Sequence, residues 1–281
     1  MPIREIPAEQ ITKSIAALCI SANIDADESI CRAICQARTT ETSEPAKNAL
    51  DMIIENMKVA EAERMPMCQD TGMVVVFIDI GQNVHISGDL DAAINEGVRH
   101  GYKDGYFRAS VVKDPFGRKN TGDNTPAVIH YNMVAGDSVK MTVMPKGFGS
   151  ENKSAVKMLT PSDGAEGVEQ FVLDTVKAAG SSPCPPIIVG VGVGGTMEKA
   201  ATLSKQALAH DIMSENADTY LTSMEQRLLQ KINALNIGAS GLKGTTTALG
   251  VRILTYPTHI AGLPVAVNIG CHVARHKSVV L

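Results

Sequence analysis

The chain has 281 residues, a formal net charge of −4 and a pI near 6.0. A chain of this length buries ample apolar surface, so neither a disulfide nor a metal is needed merely to keep it folded. The mildly acidic balance argues against nucleic acid or an anionic membrane as the main partner, because both select for a basic face.

Membrane insertion and secretion are not expected either. The longest uncharged runs, such as 261–271, fall short of the roughly 20 apolar residues that a transmembrane helix needs. The segment Met1-Pro-Ile-Arg-Glu-Ile6 lacks the apolar centre of a signal peptide. We therefore expect a cytoplasmic protein with no nucleic-acid or membrane partner, whose six cysteines serve as thiols or metal ligands.

The first 64 residues are predicted to be helical. Apolar residues recur three and four positions apart over 8–22 and 27–38, and a third helix begins at Ser43-Glu-Pro45. A capping serine followed by a first-turn proline is typical of a helix start. On these apolar stripes lie Cys19, Cys31 and Cys35. A buried helical cysteine usually behaves as a small hydrophobic residue, so we interpret these three as core residues.

From residue 73 onward the pattern changes to short strands alternating with helices. Strands are predicted at 73–80, 84–87, 127–134, 139–144, 187–193, 246–254 and 265–269, and helices at 90–100, 163–179, 197–212 and 217–235. The strands at 127–134 and 139–144 are joined by Ala135-Gly-Asp-Ser138, so they are predicted to pair as a β-hairpin.

These elements predict an α/β chain of the mixed α+β type. An N-terminal helical layer is expected to pack on a mixed, partly antiparallel sheet with flanking helices. We expect residues 1–281 to form one domain, in which residues 1–64 are a candidate helical subdomain.

Three other cysteines lie in turns beside predicted strands. Cys68 shortly precedes the strand at 73–80, Cys184 lies in Ser-Ser-Pro-Cys-Pro-Pro, and Cys271 lies in Asn-Ile-Gly-Cys-His. Their wide separation along the chain excludes a local zinc module, which pairs its ligands at short spacing. Three thiolates suit an iron–sulfur cluster with one iron left open, which can act as a Lewis acid on a substrate hydroxyl or carboxylate. Three unrelated thiols in turns are the alternative.

Groups suited to acid–base chemistry lie near these cysteines in the sequence. Asp70 follows Cys68 by two residues and His259 precedes Cys271 by twelve, so both are candidate acid–base groups. A lone histidine is as often structural. Arg108 is a candidate clamp for a substrate carboxylate, although an ordinary surface arginine explains its position equally well.

The run Gly190-Val-Gly-Val-Gly-Gly195 fits the G-x-G-x-x-G pattern of dinucleotide sites, follows a predicted strand and opens a helix. A nicotinamide-dependent oxidoreductase is therefore an alternative function. That fingerprint also requires a second strand ending in an acidic residue about 20 positions further on. Asp211 and Glu215 fall in a predicted helix and loop instead, so we interpret the glycines as a tight strand-to-helix turn.

Five segments together resemble one enzyme family. They are Cys68-Gln-Asp-Thr-Gly72, Asn120-Thr-Gly-Asp-Asn124, Gly147-Phe-Gly-Ser-Glu-Asn-Lys-Ser154, Cys184-Pro-Pro186 and the stretch from His259 to His272. From about residue 45 to its end, the chain resembles the class I, iron–sulfur-dependent fumarate hydratases. Phe148 stands where that family usually has a third glycine.

The resemblance implies a cofactor and a set of site residues. It implies a [4Fe–4S] cluster held by Cys68, Cys184 and Cys271, with one iron open to a small dicarboxylate substrate. It also implies substrate contacts at Gln69, Asp70, Arg108 and Gly149. His259 is implied to lie near the cluster.

The sequence stops at Leu281, shortly after Cys271, and so resembles the α subunit of the two-chain members. This implies a separate β subunit that completes the site, in an α2β2 heterotetramer, and interconversion of fumarate and (S)-malate. The alternative within the class is an L-tartrate dehydratase α subunit, which shares the three cysteines. A redox sensor built on the cluster is an alternative outside enzymes.

Overall fold

The computed structural model describes residues 3–281, which form two compact units. The first unit contains residues 3–26, 57–148 and 275–281, and the second contains residues 27–56 and 149–274. Each unit combines helices with a mixed sheet, which confirms the predicted α/β class. Both units draw on the first 64 residues, and the helical subdomain at 1–64 stays a prediction.

The elements follow one another along the chain as β1 (Arg4–Pro7), α1 (Ala8–Ile24), α2 (Glu28–Thr40), α3 (Glu44–Ala62), β2 (Met73–Gly81), β3 (Val84–Ser87), α4 (Leu90–Asp104), β4 (Val128–Val134), β5 (Val139–Lys146), α5 (Phe148–Glu151), β6 (Ala155–Leu159), α6 (Gly164–Ala179), β7 (Ile187–Gly194), α7 (Met197–Ala207), α8 (Thr219–Asn233), β8 (Ala248–Tyr256), β9 (Leu263–Gly270) and β10 (Lys277–Val280). Among residues 3–281, no helix is long and apolar enough to cross a membrane.

The main sheet of the first unit has the strand order β10-β5-β2-β4. Strand β2 pairs with β4 in parallel and with β5 antiparallel, and β5 also pairs antiparallel with β10. The predicted β-hairpin is therefore wrong, because β2 lies between β4 and β5. The longer, largely buried β2 offers both neighbours a more apolar pairing surface than they offer each other. Helix α1 packs against α4 and β5, and its buried residues Ile11 and Ile15 belong to the core of this unit.

The sheet of the second unit has the order β6-β9-β7-β8, in which only β7 and β8 are parallel. Helices α6 and α8 contribute Val172, Val176 and Leu228 to a core that also includes Val189 and Val191 of β7. Because side chains alternate along a strand, Gly190 and Gly192 point away from that core. They face α7 instead.

The glycine run thus has a packing role. A Cβ on Gly190 would lie 2.1 Å from the carbonyl oxygen of Ser204, and one on Gly192 would lie 2.1 Å from that of Ala200. The bare strand therefore lets α7 approach closely. The next parallel strand, β8, ends at Tyr256 with no acidic residue, so the dinucleotide fingerprint lacks its second part.

The three helical cysteines differ in their surroundings. Cys19 is fully buried, as predicted, and burial raises the pKa of its thiol to about 12. The prediction was wrong for Cys35, which is exposed, and for Cys31, which is only half-buried. The buried face of α2 is formed by Ile30, Ala33, Ile34 and Ala37. The short strands β1, β6 and β10 were not predicted.

Candidate active site

The loop 68–72 lies at the start of β2 in the first unit. Since Met73 pairs with Lys146, this loop meets the chain where it leaves β5. The Asp70 carboxylate accepts two backbone hydrogen bonds, from Gly72 N to Oδ1 (3.0 Å) and from Phe148 N to Oδ2 (2.9 Å). These bonds fix the orientation of the carboxylate and are suited to its ionised form.

A second set of bonds ties the segment containing Arg108 to the same loop. Thr71 donates its hydroxyl hydrogen to the carbonyl of Arg108 (2.9 Å). The fully buried Asn124 donates to the carbonyl of Gly72 (3.0 Å) and accepts from Ser110 N (2.7 Å). The structure thus brings Arg108 and the loop 120–124 together with the predicted site residues Cys68, Gln69 and Asp70. The side chains of Gln69 and Arg108 are exposed, whereas those of Cys68 and Asp70 are half-buried.

Cys184 and Cys271 lie at one edge of the sheet in the second unit, namely the edge formed by the start of β7 and the end of β9. Cys184 precedes β7 and Cys271 follows β9, and the register of these strands places Ile188 opposite Gly270. The ring of His272 bridges the two turns, with Nδ1 2.9 Å from the carbonyl oxygen of Cys184. A carbonyl oxygen only accepts, so Nδ1 carries the hydrogen. Burial lowers the pKa of His272 below its usual range, although this hydrogen bond raises it in part.

The turn around Cys184 has an unusual backbone. Cys184 itself has a φ of 55°, in the left-handed region that non-glycine residues rarely adopt. The conformation is held by bonds on both sides, from Cys184 N to the carbonyl of Ser181 (3.2 Å) and from Ser240 N to that of Pro185 (2.7 Å). A strained residue that its surroundings hold in place is characteristic of functional sites. Here it accompanies an exposed thiol.

The segment 149–154 reaches the same edge of the second unit. The Ser154 hydroxyl oxygen accepts from the backbone N–H of Ile269 (3.1 Å), two residues before Cys271. Glu151 pairs with Lys205 of α7, which anchors the segment from the other side. Gly149, a predicted substrate contact, is exposed, and a Cβ there would meet no atom within 4 Å.

His259 is not brought to these cysteines within its own unit. It follows β8, and the neighbouring Thr258 donates to the carbonyl of Gly195 beyond the end of β7 (2.9 Å). The length of β9, eight residues, separates that end of the sheet from Cys271 by roughly 26 Å. The His259 ring is exposed and lines an apolar cavity of about 410 Å³ in the second unit. The assignment of His259 to the site stays a prediction that this placement does not favour.

Two buried cations of the first unit, of which Arg275 lies near Asp70, were missed by the sequence reasoning. Lys146 and Arg275 are only 6% and 5% exposed. Lys146 Nζ donates to the carbonyl of Gly147 (3.2 Å), and Arg275 Nη1 donates to the side-chain oxygen of Asn23 (3.0 Å). Neither stands in a pattern that distinguishes a buried cation from a surface one. The position of Arg275, four residues after Cys271, was the one available hint.

The chemistry of the donors fits an iron–sulfur cluster. Cys68, Cys184 and Cys271 all lie in turns, and none of the six cysteines forms a disulfide. Cys68 belongs to the first unit and the other two belong to the second. Among residues 3–281, no three His, Cys, Asp or Glu side chains are grouped as ligands of a metal ion. The three-cysteine ligand set therefore rests on thiol chemistry and on the sheet edge that Cys184 and Cys271 share.

Comparison with known proteins gives a consistent result. Residues 12–280 match the family described as fumarate hydratase (Fumerase). The chain is 42% identical over 273 residues to the "Putative L(+)-tartrate dehydratase subunit alpha" of Methanocaldococcus jannaschii, covering 95% of each chain. It is 31% identical over 250 residues to the L(+)-tartrate dehydratase subunit alpha of Escherichia coli (strain K12), covering 88% of this chain and 82% of that one.

Proposed function

Because this chain belongs to the fumarate hydratase (Fumerase) family and is therefore a hydro-lyase, we propose that it is the α subunit of an enzyme interconverting fumarate and (S)-malate. The observation that best supports the cluster on which this reaction depends is the sheet edge of the second unit, where the β7–β9 register and His272 bring the turns of Cys184 and Cys271 together. A cluster site requires cysteines from distant parts of the sequence to meet, and these two turns come from such parts.

Cys68, Cys184 and Cys271 are the proposed ligands of a [4Fe–4S] cluster. When bound, such a cluster with one open iron supplies a Lewis acid for hydroxyl and carboxylate oxygens. These three thiolates would hold the cluster and would leave one iron without a protein ligand, able to act on the substrate.

The remaining site residues are assigned to orientation and proton transfer. Asp70, fixed by two backbone donors, is the proposed acid–base group for the proton on malate C3. Removal of that proton builds negative charge in the carboxylate attached to C3, and loss of hydroxide from C2 then gives fumarate. Arg108 supplies a bidentate cation for a substrate carboxylate, and Gln69 and the amide of Gly149 supply hydrogen-bond donors.

A separate β subunit is part of the proposal. Two relatives are named as α subunits, which supports a partner chain for this protein as well. A dicarboxylate that gains charge during C3 deprotonation needs several convergent cations. Of the exposed site residues Gln69, Arg108 and Gly149, only Arg108 is a cation. We assign the remaining contacts to the β chain, in an α2β2 assembly.

Tartrate dehydration is the second candidate, and the names of the relatives favour it. The test is to purify this chain anaerobically with its β partner, reconstitute the cluster, and offer (S)-malate and L(+)-tartrate side by side. Faster turnover of malate supports the proposal, and faster turnover of tartrate supports the second candidate. No turnover of either at full iron content would refute both.

The ligand assignment is tested by single Ser substitutions at Cys68, Cys184 and Cys271. Each substitution is expected to remove most of the iron that is bound after anaerobic reconstitution. The broad absorption at about 400 nm, which is expected from sulfide-to-iron charge transfer in clusters of this class, should be lost with it. Cys35→Ser is the matched control, because that thiol is exposed on a helix. Normal iron content in any one of the three variants would remove that cysteine from the ligand set.

A further inference from the structure

Arg275 is a buried cation that the proposed reaction has not used. Its side chain is fixed by Asn23, which is fully buried. Asn23 makes two further hydrogen bonds. Its side-chain nitrogen donates to Cys19 O (3.0 Å), and its backbone carbonyl accepts from Met67 N (3.0 Å). Because Met67 directly precedes Cys68, the same residue anchors both Arg275 and the start of the loop that carries Asp70.

The guanidinium of Arg275 faces the Asp70 carboxylate across Gly147. The position of a Cβ on Gly147 is 3.1 Å from Asp70 Oδ2 and 3.3 Å from Arg275 Nη2. Both charged groups therefore border one small space that exists because Gly147 has no side chain. Arg275 Nε has no hydrogen-bond partner among residues 3–281, so the guanidinium is only partly satisfied by its neighbours.

Electrostatics explain why this cation is kept in the interior. Removing a guanidinium from water is costly unless a negative charge lies nearby, and attraction over a few ångströms is much stronger inside a protein than in water. The Asp70 carboxylate is the negative group that lies beside the same glycine as the guanidinium. The Arg275 guanidinium lies on the Oδ2 side of Asp70, the oxygen that also accepts from Phe148 N, whereas Oδ1 accepts from Gly72 N.

We propose that Arg275 is a positioning residue for the reaction, which holds the Asp70 carboxylate in its productive orientation by providing its countercharge across Gly147. This inference rests on the proposed function of Asp70. Because Arg275 is buried, it acts through Asp70 and does not touch the substrate. Its loss should therefore lower kcat and leave KM nearly unchanged.

A double-variant cycle tests the interaction itself. Asp70→Asn, Arg275→Met and the double variant are unfolded in urea and compared with the unchanged protein. If the two groups interact, the double variant loses less stability than the two single variants combined. Additive losses would refute the pairing. This measurement needs neither the cluster nor turnover.

Turnover tests the positioning role. With the β partner and reconstituted iron, Arg275→Met is expected to lower kcat about 100-fold, the cost of a catalytic group displaced by about 1 Å. Arg275→Lys, which keeps the charge, should recover about tenfold of this loss. Gly147→Ala puts a methyl group between the two charges and should lower kcat in the same direction. It also serves as the probe if Arg275→Met does not fold.

Arg252 provides the matched control, since it is another buried arginine and is bound to Asp211 O and Ser214 in the second unit. Arg252→Met should lose stability but keep the kcat of the folded protein. Unchanged kcat in Arg275→Met and Gly147→Ala, or a loss that follows iron content, would overturn the inference. If the unchanged enzyme turns over neither malate nor tartrate, the proposed function fails, while the stability cycle still decides whether Arg275 and Asp70 interact.

Discussion

Glu41 links two loops of the second unit, and its replacement by Gln should destabilise the protein strongly. The carboxylate is 3% exposed and accepts four backbone hydrogen bonds. Oxygen Oε1 accepts from Thr42, Ser43 and Thr245 (2.8, 3.0 and 2.9 Å), and Oε2 accepts from Thr246 (3.0 Å). In Glu41→Gln an amide NH₂ replaces one oxygen, so donors face a donor.

The magnitude follows from the pKa of the carboxyl group. Burial raises the pKa of Glu41, but the hydrogen bonds from Ser43, Thr245, Thr42 and Thr246 outweigh it and lower the pKa from 4.5 to about 2. A shift of this size corresponds to about 3 kcal/mol of stability in the ionised state. Because the pKa is lower in the folded protein, this stability is fully present above the unfolded pKa. It is lost as the pH falls from about 4.5 to about 2.

The assay is urea unfolding of the unchanged protein and Glu41→Gln at several pH values between 7 and 3. The difference in unfolding free energy should be about 3 kcal/mol at pH 7 and should shrink towards pH 3. Glu44→Gln is the control, because Glu44 is an exposed carboxylate paired with Lys47 and its loss should hardly change the midpoint. A loss below about 1 kcal/mol at pH 7, or one that does not depend on pH, would refute the reasoning.

Three further predictions concern the packing of the fold and the support of the site. Gly192→Ala puts a Cβ 2.1 Å from the Ala200 carbonyl and should lower the free energy of unfolding by about 3 kcal/mol. In the control Gly149→Ala the new Cβ meets no atom within 4 Å, so equal urea midpoints of the two variants would contradict the prediction. Asn124→Ala leaves the Ser110 N–H without its acceptor and removes one of the two donors to the Gly72 carbonyl, which keeps its bond from the Tyr102 hydroxyl. It should cost about 2 kcal/mol in thermal unfolding, more than Asn120→Ala at an exposed position. His272→Phe removes the donor to the Cys184 carbonyl and should reduce the iron retained after anaerobic reconstitution. His272→Asn, which keeps a donor, should restore part of that iron, and full iron in the Phe variant would exclude a role of His272 in holding the Cys184 turn.

The local patterns of the sequence determined most of the individual elements. Helix α6 begins within one residue of its predicted start, and β7 ends within one residue of its predicted end. Periodicity of apolar residues is a property of neighbouring positions, so it can be read without the tertiary structure. The same is true of the turns around Cys68, Cys184 and Cys271, whose glycines and prolines mark them locally.

Pairing and burial were decided only by the tertiary structure. The turn between β4 and β5 has the composition of a hairpin, yet β2 pairs with both strands, because pairing depends on apolar surface contributed from elsewhere in the chain. The strand register brings Cys184 and Cys271 to one edge of the sheet and places His259 at the opposite edge. Along the chain, by contrast, His259 is much closer to Cys271 than Cys184 is. No local pattern in the sequence marks Arg275 as a buried cation. Its burial beside Asp70 depends on Asn23 and Gly147, which lie more than a hundred residues away along the chain, and no local pattern reports such contacts.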